Sequence, residues 1–158
     1  MILPQKLIDK GFSIAEVTPD DFGSFKRLRR CLYEKYVDQY FGGWVEEKQN
    51  RFHKNEFEQI RTCFKKVVMN GETVGFFAYD EAEDKIDEIS IFMLEKAQNQ
   101  GIGSFYLEHI ISLSDKGNKP IFLQVFKSNP AQNLYKRFGF VVYDETKSHS
   151  LMKYDPKT

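Results

Sequence analysis

The segment QNQGIGSFY, Gln98 to Tyr106, sets two glycines one residue apart at the mouth of an amphipathic stretch. Glycine inside a helix costs about 1 kcal/mol relative to alanine, so a pair at a helix start needs a reason. Two nucleotide-binding patterns fail on the residues themselves. A dinucleotide fingerprint G-x-G-x-x-G requires glycine where Tyr106 stands, and no G-K-[ST] ending of a P-loop follows. What remains is Q-x-x-G-x-G between a strand and a helix. Its successive backbone N–H groups can face an anion, helped by the positive end of the helix dipole. A β-carbon there would hold a pyrophosphate away from those donors. A plain strand-to-helix turn also accounts for the string taken alone.

Working outward, Ile102, Phe105, Tyr106, His109, Ile110 and Leu113 fall on one face of a helix that runs to about Asp115. Upstream, CFKKVVM and TVGFFAY flank Asn70-Gly71, the dipeptide best suited to a tight antiparallel hairpin. An acidic DEAED turn follows, then KIDEISIFML as a longer strand. Downstream, GNKP breaks the helix, IFLQVF reads as a buried strand, and Pro130 opens a short helix through Arg137. FGFVVY and HSLMKY close the chain as a pair of strands.

The N-terminal part opens with a strand, Phe12 to Val17. Thr18 then serves as N-cap, Pro19 as first helical residue, and Asp20 and Asp21 as favourable charges at the positive helix end. Phe22, Phe25, Leu28, Leu32 and Tyr36 continue a helix that stops at Gly42-Gly43, and a second, polar helix runs from about Val45 toward Phe57. The order predicts one mixed α/β domain over residues 1–158, with a βαβ crossover in its later half.

Composition narrows the function classes. Aromatic residues make up 15% of 158 positions, which favours a well-packed globule. Lys+Arg 23 balances Asp+Glu 23, so no overall field draws the chain to nucleic acid or to an anionic membrane. KRLRR, Lys26 to Arg30, is the one basic clump, and helical spacing spreads it over a solvated face. Cys31 and Cys63 form no CxxC pair, and no hydrophobic signal region follows Met1, so a cytoplasmic protein with reduced thiols is expected. His53, His109 and His149 are scattered without ligand spacing, and no metal is expected.

The string QNQGIG and, about thirty residues later, NPAQNLYKRFGF together resemble the GNAT superfamily of N-acetyltransferases. The first matches the superfamily's Q/R-x-x-G-x-G/A signature at Gln98, Asn99, Gln100, Gly101, Ile102 and Gly103. The second matches an Asn leading to A-x-x-L-Y-x-x-x-G-F at Asn129, Ala131, Leu134, Tyr135, Gly139 and Phe140. The resemblance is firmest from about Ile86 to Tyr154. It implies a GNAT-like α/β fold (mixed α+β), with a mostly antiparallel central sheet flanked by helices, and acetyl-CoA as acyl donor. It further implies that amides from Gln98 to Gly103 hold the pyrophosphate, that the strand near Phe92, Met93 and Leu94 pairs with the pantetheine arm, and that Asn129 contacts the cofactor. A homodimer is compatible with it.

Amine attack on a thioester expels a thiolate, and a phenol beside that sulfur can protonate it; Tyr135 is the candidate. Packing of the same ring beside Leu134 is the alternative. A backbone N–H near Phe92 or Met93 would meet the developing oxyanion. A protonated amine must lose a proton, and Asp87 or Glu88 can accept it. Strand alternation sends those two to opposite faces unless the strand is irregular, with a slight preference for Glu88. Tyr33, Tyr36 and Trp44, in an aromatic cluster beside the Gly-Gly bend, and His149 are candidates to line the acceptor site, or simply to fill the core. The expected activity is acetyl transfer to a small-molecule primary amine by direct attack, since neither cysteine sits in a nucleophile motif. A protein or peptide amine, or a non-catalytic acyl-CoA-binding module, stays open.

Overall fold

A computed structural model describes residues 1–157. The elements run α1 (Gln5–Asp9), β1 (Phe12–Glu16), α2 (Phe22–Phe41), α3 (Glu46–Ile60), β2 (Phe64–Met69), β3 (Glu72–Glu81) and β4 (Ile86–Met93). They continue with α4 (Ile102–Gly117), β5 (Ile121–Phe126), α5 (Ala131–Arg137), β6 (Val141–Glu145) and β7 (His149–Tyr154). The strands form one sheet in the order β1-β2-β3-β4-β5-β7-β6. Every neighbouring pair is antiparallel except β4 with β5. That pair is the crossover expected from the sequence, with α4 between its strands.

Both faces of the sheet are covered, and β3 shows why TVGFFAY is apolar throughout rather than alternating. Phe76 and Phe77 are adjacent, so their rings leave the strand on opposite faces, and both are fully buried. Phe77 joins Leu7, Tyr106, Ile110 and Phe140 in the cluster beneath α4 and α5. Phe76 joins Phe25, Phe57, Phe64 and Phe92 in the cluster beneath α2 and α3. Phe25 is the hub of the second cluster, with ring centroids of Phe57, Phe64, Phe76 and Phe92 at 5.2, 5.1, 5.4 and 5.5 Å. All four contacts have the edge-on geometry that suits the ring quadrupoles.

Turn chemistry follows the residues. Asn70 and Gly71 take φ of 50° and 84°, the positive pair that a tight hairpin turn needs. Thr18 N–H donates to Asp21 Oδ2 at 2.8 Å, and a short 3-10 turn, Pro19–Asp21, leads into α2. At the end of α5, Gly139 N–H bonds the Lys136 carbonyl and Phe140 N–H bonds the Tyr135 carbonyl, both at 3.1 Å. That double bond, with Gly139 at φ 94°, stops the helix. The last pair of strands therefore begins at Val141 rather than at Phe138. The short helix α1 was not anticipated: at five residues it is too brief for a periodic signal, yet its Leu7 is fully buried.

Two departures from regular sheet geometry shape the later argument. Between β4 and β5 a single pair is in register, Ile86 with Ile121, and the strands separate beyond it. On β4 an extra residue interrupts the pairing with β3, because Ala78 lies opposite Ser90 while Asp80 lies opposite Asp87. Glu88 sits in this bulge with φ 54°, a left-handed conformation uncommon for a side-chain-bearing residue.

Truncating the hub tests how far the helical face depends on it. Phe25→Ala is expected to destabilise the protein by roughly 3–5 kcal/mol, the usual cost of removing a buried aromatic ring. Urea denaturation followed by circular dichroism reads this out, and a loss below 1 kcal/mol would show that the surrounding rings close the gap.

Candidate active site

The glycine turn is built as a cradle of free donors. Among the described residues, the amides of Asn99 to Ser104 make no backbone hydrogen bond, and the first bond into the helix runs from Phe105 N–H to the Gly101 carbonyl at 3.0 Å. Asn99 at φ 59° and Gly101 at φ 109° turn the chain so that successive amides lead into the N-terminus of α4. Gly101 is open to that conformation only because it lacks a β-carbon. Gly103 is constrained differently: a β-carbon there would lie 3.1 Å from Leu134 Cδ2 on α5. The turn is tied on both sides. Gln98 Nε2 donates to the Met93 carbonyl at 2.8 Å, and Lys10 Nζ donates to the Gln100 carbonyl at 3.0 Å. Ile102 contributes backbone alone, since its side chain is fully buried. These residues fit a pyrophosphate, which needs several N–H donors on one concave surface.

Beside the cradle, the separation of β4 from β5 leaves one edge of β4 unpaired. Leu94 N–H is taken by the Val74 carbonyl at 2.8 Å. In an antiparallel ladder such bonds alternate, so Phe92 also faces β3, and Met93 and Ile91 turn toward the gap. Of the three residues expected along the donor arm, Met93 is the one whose N–H faces the gap. Its carbonyl is already engaged by Gln98. Phe92 instead places its ring in the core, 4% exposed, and turns its N–H toward β3.

A cavity of about 750 Å³ opens along this gap, between α2 and α3 on one side and β4, β5 and α5 on the other. Tyr135 and Glu88 both line it. Tyr135 is 6% exposed, and burial, with a smaller push from Tyr33, raises its phenol well above the usual tyrosine range, so it stays protonated. The bulge aims Glu88 into the cavity. Partial desolvation raises its carboxyl, followed by repulsion from Asp87, Glu56 and Asp80, with Lys85 opposing. Asp87 is not among the lining residues; its carboxylate lies 3.4 Å from Lys85 Nζ. The irregularity that could decide between the two carboxylates is therefore present, and it brings Glu88 alone to the cavity.

Of the other candidates, Tyr33, Trp44, Asn129 and His149 line the cavity. Asn129 also starts α5, accepting the Ala131 N–H at 2.9 Å. His149 stacks on Phe126 with centroids 4.3 Å apart, and burial lowers its pKa. Tyr36 does not reach the cavity. It is buried and stacks on Phe126 from the helix side at 4.9 Å, so it holds α2 against β5.

The cavity is also lined by Arg29, His53 and Glu56, none of them a site candidate from the sequence. Arg29 belongs to the clump expected to be solvated, yet its side chain is 11% exposed, with Glu56 Oε1 at 3.0 Å and the Phe92 ring centroid at 4.4 Å. The helix turns this one basic residue inward while Arg27 and Arg30 stay outside. Helical phase carries the signal: Arg29 lies four residues after Phe25 and four before Tyr33, on the inward stripe. His53 is 4% exposed among Phe25, Trp44 and Phe52.

Fold and site together define a protein with a glycine turn of free amides, a split sheet and a cavity lined by Tyr135 and Glu88. A model of the Acetyltransferase (GNAT) family matches residues 29–140, and the chain belongs to that family. Over 85 residues it is 31% identical to the [ribosomal protein bS18]-alanine N-acetyltransferase of Haemophilus influenzae. That alignment takes in 53% of this chain and 58% of the relative, so the chain spans less than two thirds of that protein. Among solved structures, a Pyrococcus horikoshii OT3 protein superposes with a TM-score of 0.71 at 20% identity, over 93% of this chain and 99% of that one. The PaiA N-acetyltransferase of Thermoplasma acidophilum, solved with coenzyme A, superposes with a TM-score of 0.66 at 18% identity, over 91% and 98%. The fold is thus shared across low identity.

Burial, then the nearby Arg29 charge, depresses His53 from 6.5 to about 4. The unfolded chain therefore binds a proton between these values that the folded chain refuses, and stability falls as pH drops from 6.5 toward 4. The loss is expected to reach at most roughly 3 kcal/mol. Thermal unfolding of His53→Leu across pH 7 to 4.5 is expected to show a flatter decline than wild type; parallel curves would mean that His53 titrates normally.

Proposed function

We propose that the chain transfers an acetyl group from acetyl-CoA to a primary amine by direct attack, acting in the cytoplasm. The observation that carries this reading is that Glu88 and Tyr135 face one cavity where β4 and β5 part. Acetyl-CoA supplies a thioester carbonyl carbon open to attack by nitrogen. The free amides from Asn99 to Ser104 would hold its pyrophosphate. Glu88, its carboxyl raised by partial burial, accepts the proton that an ammonium must lose before nitrogen can attack. Met93 N–H donates to the acyl oxygen as charge builds on it. As the C–N bond forms and the C–S bond breaks, the Tyr135 hydroxyl gives its proton to the departing sulfur. Neither Cys31 nor Cys63 lines the cavity, which supports attack without an acyl-enzyme.

A small-molecule amine is the acceptor favoured by the cavity's aromatic walls. A peptide amino terminus is a second reading, supported by the alanine acceptor in the printed name of the Haemophilus influenzae relative and by the exposed apolar rim at Phe41, Val45 and Phe52.

Calorimetric titration with acetyl-CoA tests the cradle: wild type is expected to bind, and a folded Gly101→Asp, Gly103→Asp double variant to lose binding. No binding by folded wild type would withdraw acetyl-CoA as donor. Tyr135→Phe is expected to keep acetyl-CoA binding and lose about 10²-fold in kcat, the lower range for a general acid. Unchanged turnover would sink that role.

A further inference from the structure

Resting on that reading of the cavity, we propose that the acceptor is a monocationic amine on an apolar body, and that Arg29 is the residue that selects it. Arg29 does so by neutralising Glu56, which leaves Glu88 as the one uncompensated carboxylate on the cavity wall.

Two carboxylates line the cavity, Glu56 on α3 and Glu88 on β4. They differ in what stands against them. Arg29 Nη2 lies 3.0 Å from Glu56 Oε1, with side-chain exposures of 11% and 24%. Glu56 Oε1 is nevertheless without a directional hydrogen bond, so the pairing is mainly electrostatic. The guanidinium is fixed from other sides as well, by Ser90 Oγ at 3.4 Å and by the Phe92 and Phe25 rings at 4.4 and 4.9 Å. A charge held among rings is weakly screened, so the cancellation of Glu56 is strong. Glu88 has no ion-pair partner among the described residues. Its charged neighbours are Asp87 and Lys85, which pair with each other, Asp80 on β3, and the compensated Glu56.

The cavity thus offers one site for one ammonium. The remaining wall on the helix side is mostly rings, Tyr33, Phe41, Trp44 and Phe52, with His53 and Gln49 beside them. A second ammonium there would lose water without gaining a carboxylate, and the other charge on that side is Lys48, a like charge. An acceptor carboxylate beside the reacting amine would meet Glu88. An apolar body instead gains contact with the rings, and Phe41 and Phe52, at 58% and 57% exposed, leave apolar surface for it to cover.

The test is steady-state acetylation of two matched pairs, with acetyl-CoA binding confirmed by calorimetry for each protein. One pair is pentylamine and 1,5-diaminopentane. The other is a short peptide bearing leucine or lysine at its second position. Wild type is expected to show at least tenfold higher kcat/KM for the monocationic member of whichever pair it accepts, and the accepted pair distinguishes a free amine from a peptide end. Arg29→Met exposes Glu56 and is expected to narrow that preference at least fivefold, through KM and more at low salt. Should Arg29→Met fail to fold, Glu56→Gln serves instead: it leaves the guanidinium unpaired and is expected to widen the preference. Equal or reversed preference in wild type, an unchanged ratio in the folded variants, or turnover of neither pair by protein that binds acetyl-CoA would overturn the proposal. Absence of acetyl-CoA binding by wild type would overturn the reading beneath it.

Discussion

Parallel pairing between β4 and β5 lasts for a single residue pair, Ile86 with Ile121, and the site depends on what that separation exposes. Backbone groups removed from water must find partners, and a strand in mid-sheet normally finds them on both edges. Here β4 keeps its ladder to β3 and releases its other edge to the cavity. An extended chain laid along that edge would be bonded as an added strand is bonded. The separation also opens the cavity between the sheet and the helices α2 and α3. The bulge at Glu88 belongs to the same irregularity: an extra residue bends β4 and redirects one side chain into the space that the bend helps create.

The pocket's other wall is set by packing. Phe25 gathers Phe57, Phe64, Phe76 and Phe92 into edge-on contact, and this anchors α2 and α3 across the sheet. Arg29 sits one turn further along α2, and its guanidinium lies over the Phe25 and Phe92 rings. The buried charge is tolerated because the ring faces and Glu56 share the task of replacing water. His53, held neutral by the same surroundings, fills the space toward Trp44 without adding charge.

Local pattern made much of the fold legible. Hydrophobic spacing located α2, α4 and the central strands, and Asn70-Gly71 located the hairpin, because in each case a few adjacent residues carry the whole signal. The glycine turn was legible for the same reason: glycines stand where the chain turns at φ 109° and where a β-carbon would lie 3.1 Å from Leu134 on α5. The helix α1 escaped because one turn has no period. Glu88 was only slightly preferred to Asp87, because the bulge depends on pairing with β3, not on the residues KIDEIS themselves. Arg29 was misread because a run of basic residues suggests solvent, while the helix phase that buries one of them takes its meaning from the ring cluster on distant strands. Tyr36 was misplaced by the converse error: aromatic residues grouped in sequence divide in space, some facing the cavity and others stacking on Phe126.

Gly103 faces Leu134, the residue before Tyr135, and the bare α-carbon sets how closely α4 approaches α5. The contact brings the start of α4, with its glycine turn, against the helix that carries the Tyr135 phenol. A β-carbon added at Gly103 would meet Leu134 Cδ2 at 3.1 Å, so that side chain or the helix behind it would have to give. A change at this position would therefore be felt on α4 and α5 together. Alanine, which the family signature admits here, would ask the Leu134 side chain to give by only a few tenths of an ångström, so the contact limits the size of what stands at this position more than its identity.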